Sequence, residues 1–384
     1  MDPSNDTTAC SITLTQAEFY VTFSWWLSGI GTLCFAGLGI AFNTIAIYIL
    51  CDKRMISSFF NRLLVCLAIV DNLFLTNAIS VVIVENFVTS NSESHISLFV
   101  NLLYPTRNML MCMSIYMTVS LACERFNSVS NPILYRTRQT TNTCYRLLLY
   151  IIPVITFSVV YNIPKFFDLK VSEITSNCKK KWPNDTIQSN CTTTTEYIMK
   201  PTKLRENDDY ILWYINISNL VVTAAIPVIL LTFFNYKIYT SLKQRKERKA
   251  AMVSQTNNSN AIERDRNKKE VRQTFILFAI VALFVICQSL RIILNIEEFV
   301  NLEKRNQKQN QGCIGKEFWS VVSIPIAGLL IQINSGTNFF IYCAFSDFFR
   351  EVLTSKLMKK WPSNQRGLFT QLTTRENIEL HEVH

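Results

Sequence analysis

Charged side chains are rare inside the long apolar blocks of this chain, and the few that occur there set its chemistry. Glu124-Arg125 closes the third block. An arginine at a membrane edge is costly unless paired, so an acid and a base side by side there form a contact that can be made and broken. Arg107 precedes Arg125 by 18 residues, about five turns or about 27 Å of helix. The two guanidiniums therefore project from one face at opposite ends, with Ser114 on the same stripe. Asp71 is the acid within the second block, and Asn43, Ser114, Asn334 and Asn338 are the candidates to surround it. Oxygen donors of this kind suit a small hard cation such as sodium, and equally a water network that ties helices together. The sixth block carries Glu270 and Arg291 near its two ends, about 31 Å apart by helical rise. Glu270 is placed to pair with Arg125, which would fasten the third block to the sixth in one of two alternative arrangements.

Catalytic constellations do not emerge from the same inspection. The histidines are His95, His381 and His384; they have no metal-ligand spacing and no accompanying nucleophile set, so no enzyme is expected.

The elements that must position these residues are membrane helices. Of 384 residues, 49% are hydrophobic and 17% charged, and the apolar residues gather in blocks of the length a bilayer requires, about 20 residues each. Uncharged runs cover Phe19 to Cys51, Asn108 to Cys123, Leu147 to Pro164, Tyr210 to Tyr236, Gln273 to Leu290 and Phe318 to Ser346, and a seventh, Leu63 to Val84, holds Asp71. In lipid each backbone amide must be satisfied within its own segment. The fold class is thus an all-α membrane protein, a seven-helix bundle with a short amphipathic eighth helix. Its parts are an N-terminal stretch 1–22, a membrane domain 23–346, and a helix and tail 347–384.

Lysine and arginine accumulate on the cytoplasmic side of membrane proteins. None precedes Lys53, whereas Lys53, Arg54 and Arg62 follow the first block and Arg136, Arg138 and Arg146 follow the third. The N-terminus is expected outside, the C-terminus in the cytoplasm and the whole in the plasma membrane. The net charge of +10 reads as this bias, so nucleic-acid binding is not expected, and the basic run Lys243 to Lys249 would prolong the fifth helix. Asn5, Asn184 and Asn190 begin outward sequons and are glycosylation candidates. Of twelve cysteines, Cys10, Cys178, Cys191 and Cys313 face outward; the favoured pairings are Cys178 with Cys191 and Cys10 with Cys313.

Taken in order, these positions resemble the rhodopsin-like (class A) G protein-coupled receptors from about Trp25 to Phe349. Asn43, Leu67-Ala68-Ile69-Val70-Asp71, Glu124-Arg125-Phe126, Pro132, Pro227 and Asn338-Phe339-Phe340-Ile341-Tyr342 match that family's helix motifs, with Phe348 at the expected distance. Val100 stands where a third-helix cysteine is usual, Gln288 replaces the sixth-helix tryptophan and Phe339 the seventh-helix proline, so weaker kinks are expected in both helices. Tyr104-Pro105, Tyr161 to Asp168, Pro201 to Arg205, Asn235 and Arg291 to Asn295 look like the invertebrate FMRFamide-receptor branch.

The resemblance implies a receptor for a neuropeptide, an amidated one of the FMRFamide type included, acting on a heterotrimeric G protein. Glu124, Arg125, Glu270 and Tyr342 would form the activation switch, and the Asp71 cluster would be a sodium site. Ligand contacts would come from Glu85, Arg107, Gln288, Arg291, Glu297, Glu298 and Gln332, under a long outer connection from Asp168 to Asp209 read as a lid. Arg107 disfavours a cationic amine, since it would meet a like charge. Arrestin and a receptor kinase would act at Thr370, Thr373 and Thr374, and Phe345, Phe348 and Phe349 would contact membrane lipid. The competing readings are a receptor for an anionic or lipid small molecule, a chemoreceptor channel and a transporter.

Overall fold

The computed structural model describes residues 14–87, 93–130, 135, 142–176, 194–253, 261–301 and 317–359. Among them seven helices are long and apolar enough to cross a membrane: Thr15–Leu50, Phe59–Asn86, Glu93–Ser130, Thr143–Phe167, Tyr210–Gln244, Thr274–Val300 and Phe318–Gly336. They are called the first to seventh spans below. Their surfaces are inverted relative to a water-soluble bundle. Phe35, Leu38, Ile152, Ile229, Phe275 and Ile286 are exposed around the outside, while Asn43, Asp71, Ser114, Asn162, Asn216, Gln288 and Asn338 are buried within. A lipid solvent gives apolar side chains no reason to hide and polar ones every reason to find each other.

Helix ends carry the remaining architecture. The fifth helix runs on through the basic run to Val253, and the sixth is one helix from Ala261 to Val300, unbroken as its missing motif proline implied. The seventh departs from the same expectation. It stops at Gly336 and resumes at Asn338, with Thr337 between at φ −100° and ψ 0°. Close packing coincides with the break: a Cβ on Gly336 would sit 3.1 Å from the Gly39 Cα of the first span, so the two backbones touch there.

The final helix, Asp347–Lys359, docks on the bundle. Phe349 and Val352 are fully buried, and Phe349 packs 5.8 Å from Phe339 and 5.6 Å from Tyr342, ring to ring. Phe349 is thus a core residue and not the lipid contact expected for it; Phe345, 42% exposed, keeps that role open. Lys356 reaches Asp52 at 3.3 Å and donates to the Tyr48 carbonyl at 3.0 Å. Asp52 caps the turn Lys53–Ile56 through the Arg54 N–H, and that hydrogen bond holds its carboxyl below the usual range. Asp347 joins Arg272 of the sixth helix to Arg350.

The described residues of the outer connection include paired strands. Leu169–Ser176 and Thr194–Pro201 form an antiparallel hairpin, β1 and β2, in register from Leu169 opposite Pro201 to Ser176 opposite Thr194.

Candidate functional site

Three polar clusters lie along the bundle interior, one at each end and one between. At the end where the third span finishes, Glu124 is completely buried and Arg125 nearly so. The Arg125 Nε is 3.1 Å from Glu124 Oε2, Tyr135 donates its hydroxyl to Oε1 at 2.6 Å, and Arg146 lies 3.9 Å from Oε1. Burial, and then the Glu124 charge, push the Tyr135 phenol up to about 12, so it remains a donor across the neutral range. Arg125 also sits 3.8 Å over the Phe60 ring, and a desolvated cation over an aromatic face is worth up to about 2 kcal/mol. Removing one partner of a buried ion pair costs about 3–5 kcal/mol, because the other charge is left unpaired. Tyr342 is buried nearby on Phe349, and its hydroxyl has no hydrogen-bond partner among the described residues. Glu270 lies on the sixth helix, but its side chain is outside the described residues.

In the middle, Asp71 accepts from Ser114 at 2.6 Å and from Asn338 at 2.8 Å, one donor on each carboxylate oxygen. Asn43 donates to the Ser335 carbonyl at 2.9 Å, which ties the first span to the seventh beside Gly336. Ser335 approaches Asp71 as well. Asn334, expected in this cluster, makes no hydrogen bond to Asp71; one residue of helical rotation gives its place to Ser335. Gln332, expected to touch ligand, is buried and donates to Thr32 of the first span at 3.2 Å.

At the hairpin end, Arg107 and Glu85 are close enough to interact electrostatically, and a Cβ added at Gly328 would lie 4.0 Å from Arg107 Nη2. Arg291 donates to Met111 Sδ at 2.9 Å and to Asn219 Oδ1 at 3.2 Å, joining the sixth span to the third and fifth. Gln288, one turn deeper, is buried. Glu297 accepts from Ser320 at 3.0 Å and Asn301 at 3.4 Å, which closes the sixth span on the seventh. Glu298 is also engaged.

The residue that organises this end is Asp168, to which no motif in the sequence assigns a role. Its carboxylate is fully buried. It accepts from Tyr210 at 2.5 Å, Tyr104 at 3.0 Å and Lys165 at 3.1 Å, and its carbonyl takes the Thr202 N–H at 3.0 Å. Thr202 donates its hydroxyl to the Phe167 carbonyl at 2.6 Å. Asp168 thereby fastens both ends of the hairpin to the third, fourth and fifth spans. The sequence signal was an acid three residues after a lysine, with Phe166 and Phe167 between them at a helix end. Cys10, Cys178, Cys191, Cys313, Asn5, Asn184, Asn190, Thr370, Thr373 and Thr374 lie outside the described residues. Cys34, Cys51, Cys66, Cys112, Cys123, Cys144, Cys287 and Cys343 are free thiols.

Comparison with known proteins adds an independent line. Residues 42–342 match the family model described as 7 transmembrane receptor (rhodopsin family). The chain is 26% identical over 345 residues to the FMRFamide receptor of Drosophila melanogaster, an alignment covering 88% of this chain and 54% of that one. It is 24% identical over 321 residues to the FMRFamide peptide receptor frpr-18 of Caenorhabditis elegans, covering 82% and 66%. With the probable G-protein coupled receptor frpr-1 of the same worm it shares 23% over 331 residues, covering 82% and 75%. The chain thus spans about half the length of the fly relative.

Proposed function

Because the chain belongs to the rhodopsin family of seven-transmembrane receptors, we propose that it binds an extracellular neuropeptide at the hairpin end and activates a heterotrimeric G protein at the Arg125 end. The observation that carries the reading is the line of buried polar clusters joining the two ends: Arg291 with Asn219, Asp71 with Ser114 and Asn338, and Arg125 with Glu124. The names of the fly and worm relatives favour an amidated peptide of the FMRFamide type. Its entry would be beside the hairpin, with the N-terminus and hairpin outside and the Arg125 end in the cytoplasm of a plasma-membrane receptor.

Ligand contact with Arg107, Gln288 and Arg291 would shift the sixth span relative to the third and fifth. At the far end that shift would pull Arg272 from Asp347 and release Arg125 from Glu124, opening a surface for the G protein. The buried Tyr342 hydroxyl has no hydrogen-bond partner among the described residues; an unmet buried donor costs about 1–3 kcal/mol and so favours an arrangement that supplies one. A sodium ion suits the middle cluster, where oxygen ligands are at hand and Asn43 Oδ1 is a buried acceptor with no hydrogen-bond partner among the described residues. Asp71, Ser114, Ser335 and Asn43 would hold it, and it would add a positive charge that biases the bundle toward the closed form. Glu297 and Glu298 at the rim would meet a cationic residue of the peptide. Arrestin and a receptor kinase remain proposals for the tail, and lipid contact for Phe345.

The test is expression in cells with calcium and cyclic-nucleotide reporters, challenged with a library of amidated peptides containing FMRFamide. A saturable response that Arg125→Ala abolishes at matched surface level is expected. Silence of the library at confirmed surface expression, or full signalling by Arg125→Ala, would count against the proposal.

A further inference from the structure

The hairpin end carries more positive charge than its carboxylates answer. Lys165 spends its charge on Asp168 at 3.1 Å, yet Arg205 and Arg291 are both near enough to act on it. Arg291 in turn stands in the field of Arg107, whose nearest acid is Glu85. Lys165, Arg205, Arg291 and Arg107 therefore form a chain of neighbouring cations served by Asp168 and Glu85.

Two of these cations have unused donors. Arg291 directs its guanidinium at Met111 sulfur and Asn219 oxygen, both neutral; a guanidinium has five N–H groups, and among the described residues no carboxylate lies within ion-pair distance. Arg205 Nη1 is buried with no hydrogen-bond partner among the described residues. Both side chains are half-buried, and a cation partly withdrawn from water is stabilised by a group that supplies the missing charge. The acids at the same end are already engaged: Glu297 by Ser320 and Asn301, and Asp168 by Tyr104, Lys165 and Tyr210.

We infer that Arg291, with Arg107, Lys165 and Arg205 around it, forms an anion subsite beneath the hairpin that takes a carboxylate of the ligand, so the cognate peptide carries an acidic side chain. This rests on the peptide reading above and names a chemical requirement that the reading does not contain. The ligand's carboxylate would accept from the free N–H groups of Arg291, and a basic residue would stay at the rim with Glu297 and Glu298. A cation at the Arg291 depth would meet like charges.

The test has an arm that does not depend on the peptide reading. Purified full-length receptor is melted with millimolar succinate as a minimal carboxylate probe, against sodium chloride of equal ionic strength. The expected result is a rise in Tm for the wild type that Arg291→Gln abolishes while still folding. No rise over the salt control, or an equal rise in Arg291→Gln, overturns the subsite.

The second arm uses FMRFamide extended at its N-terminus by Asp, Asn or Lys, read by G protein signalling. The Asp peptide is expected to be at least tenfold more potent than the Asn peptide, the Lys peptide weaker still, and the Asp-over-Asn ratio to collapse toward one in Arg291→Gln. A wild-type receptor that responds to FMRFamide but ranks Asp and Asn equally overturns the acidic-peptide occupant. Silence toward all peptides, with the succinate shift intact, counts against the peptide reading alone and leaves the subsite supported.

Discussion

A single buried carboxylate can do the work of a covalent tether, and Asp168 is placed to do so. Val100 occupies the third-span position where a cysteine would tie the outer connection, and it is buried in an apolar cluster with Val81, Phe99 and Leu103. The hairpin is held instead through Tyr104, Lys165, Tyr210 and Thr202, all converging on Asp168. Asp168→Asn keeps the shape but leaves Lys165 buried without its counter-charge, a loss of about 3–5 kcal/mol by the logic of a broken buried pair. Tyr210→Phe removes one hydrogen bond to a charge, worth about 1.5–3 kcal/mol. In thermal melts of the purified receptor, Asp168→Asn should therefore lower Tm more than Tyr210→Phe; the reverse order would remove Asp168 from the centre of the anchor. Arg125 was legible in the sequence because its acid is its neighbour and the pair ends an apolar block. The partners Tyr135 and Arg146 were not, since they arrive from another segment, and Asp168 was not, since no spacing rule joins it to Tyr104 or Tyr210.

Helix existence and order were readable from charge-free runs, because the bilayer sets their length. The features that escaped were made by packing between elements. The hairpin residues Lys170-Val171-Ser172-Glu173-Ile174-Thr175 have β-branched content, but their length and mixed charge read equally well as irregular chain. The seventh helix lacks its motif proline and still breaks, at the point where Gly336 meets Gly39. A Cβ on Gly39 would lie 2.8 Å from Leu75 Cδ1 and 3.0 Å from the Gly336 Cα, while one on Gly37 would meet nothing within 4 Å. The Leu75 methyl can turn aside, but the Gly336 backbone cannot without displacing the Asn43 contact to Ser335. Gly39→Val is accordingly expected to destabilise the receptor by about 1–3 kcal/mol, as overpacking does, and to reduce surface expression. Gly37→Val, two residues away on the lipid side, should leave both unchanged. Equal losses in the two variants would mean that helix propensity, not the glycine contact, governs this pair.

The direction of signalling depends on which end of the bundle faces the cell exterior. Every connection at the Arg125 end is basic: Lys53, Arg54 and Arg62 after the first span, Arg136, Arg138 and Arg146 around the next, and the run Lys243 to Lys249 beyond the fifth. The hairpin end also holds lysine and arginine: Lys165 is paired within the fold, Arg205 and Arg291 are half-buried, and Lys170, Lys200 and Lys203 are exposed. The positive-inside rule acts on loop charges near helix ends, and with no lysine or arginine before Lys53 it puts the N-terminus outside and sends the Arg125 end to the cytoplasm despite the cations of the hairpin end. An epitope fused at the N-terminus should then be stained on intact cells, and one fused after His384 only once the membrane is permeabilised. The opposite pattern would place the hairpin, and with it the anion subsite, in the cytosol, where no extracellular peptide could reach Arg291. That single result would undo the proposed direction of signalling while leaving the buried clusters as described, which makes topology the assumption to measure before any ligand is screened.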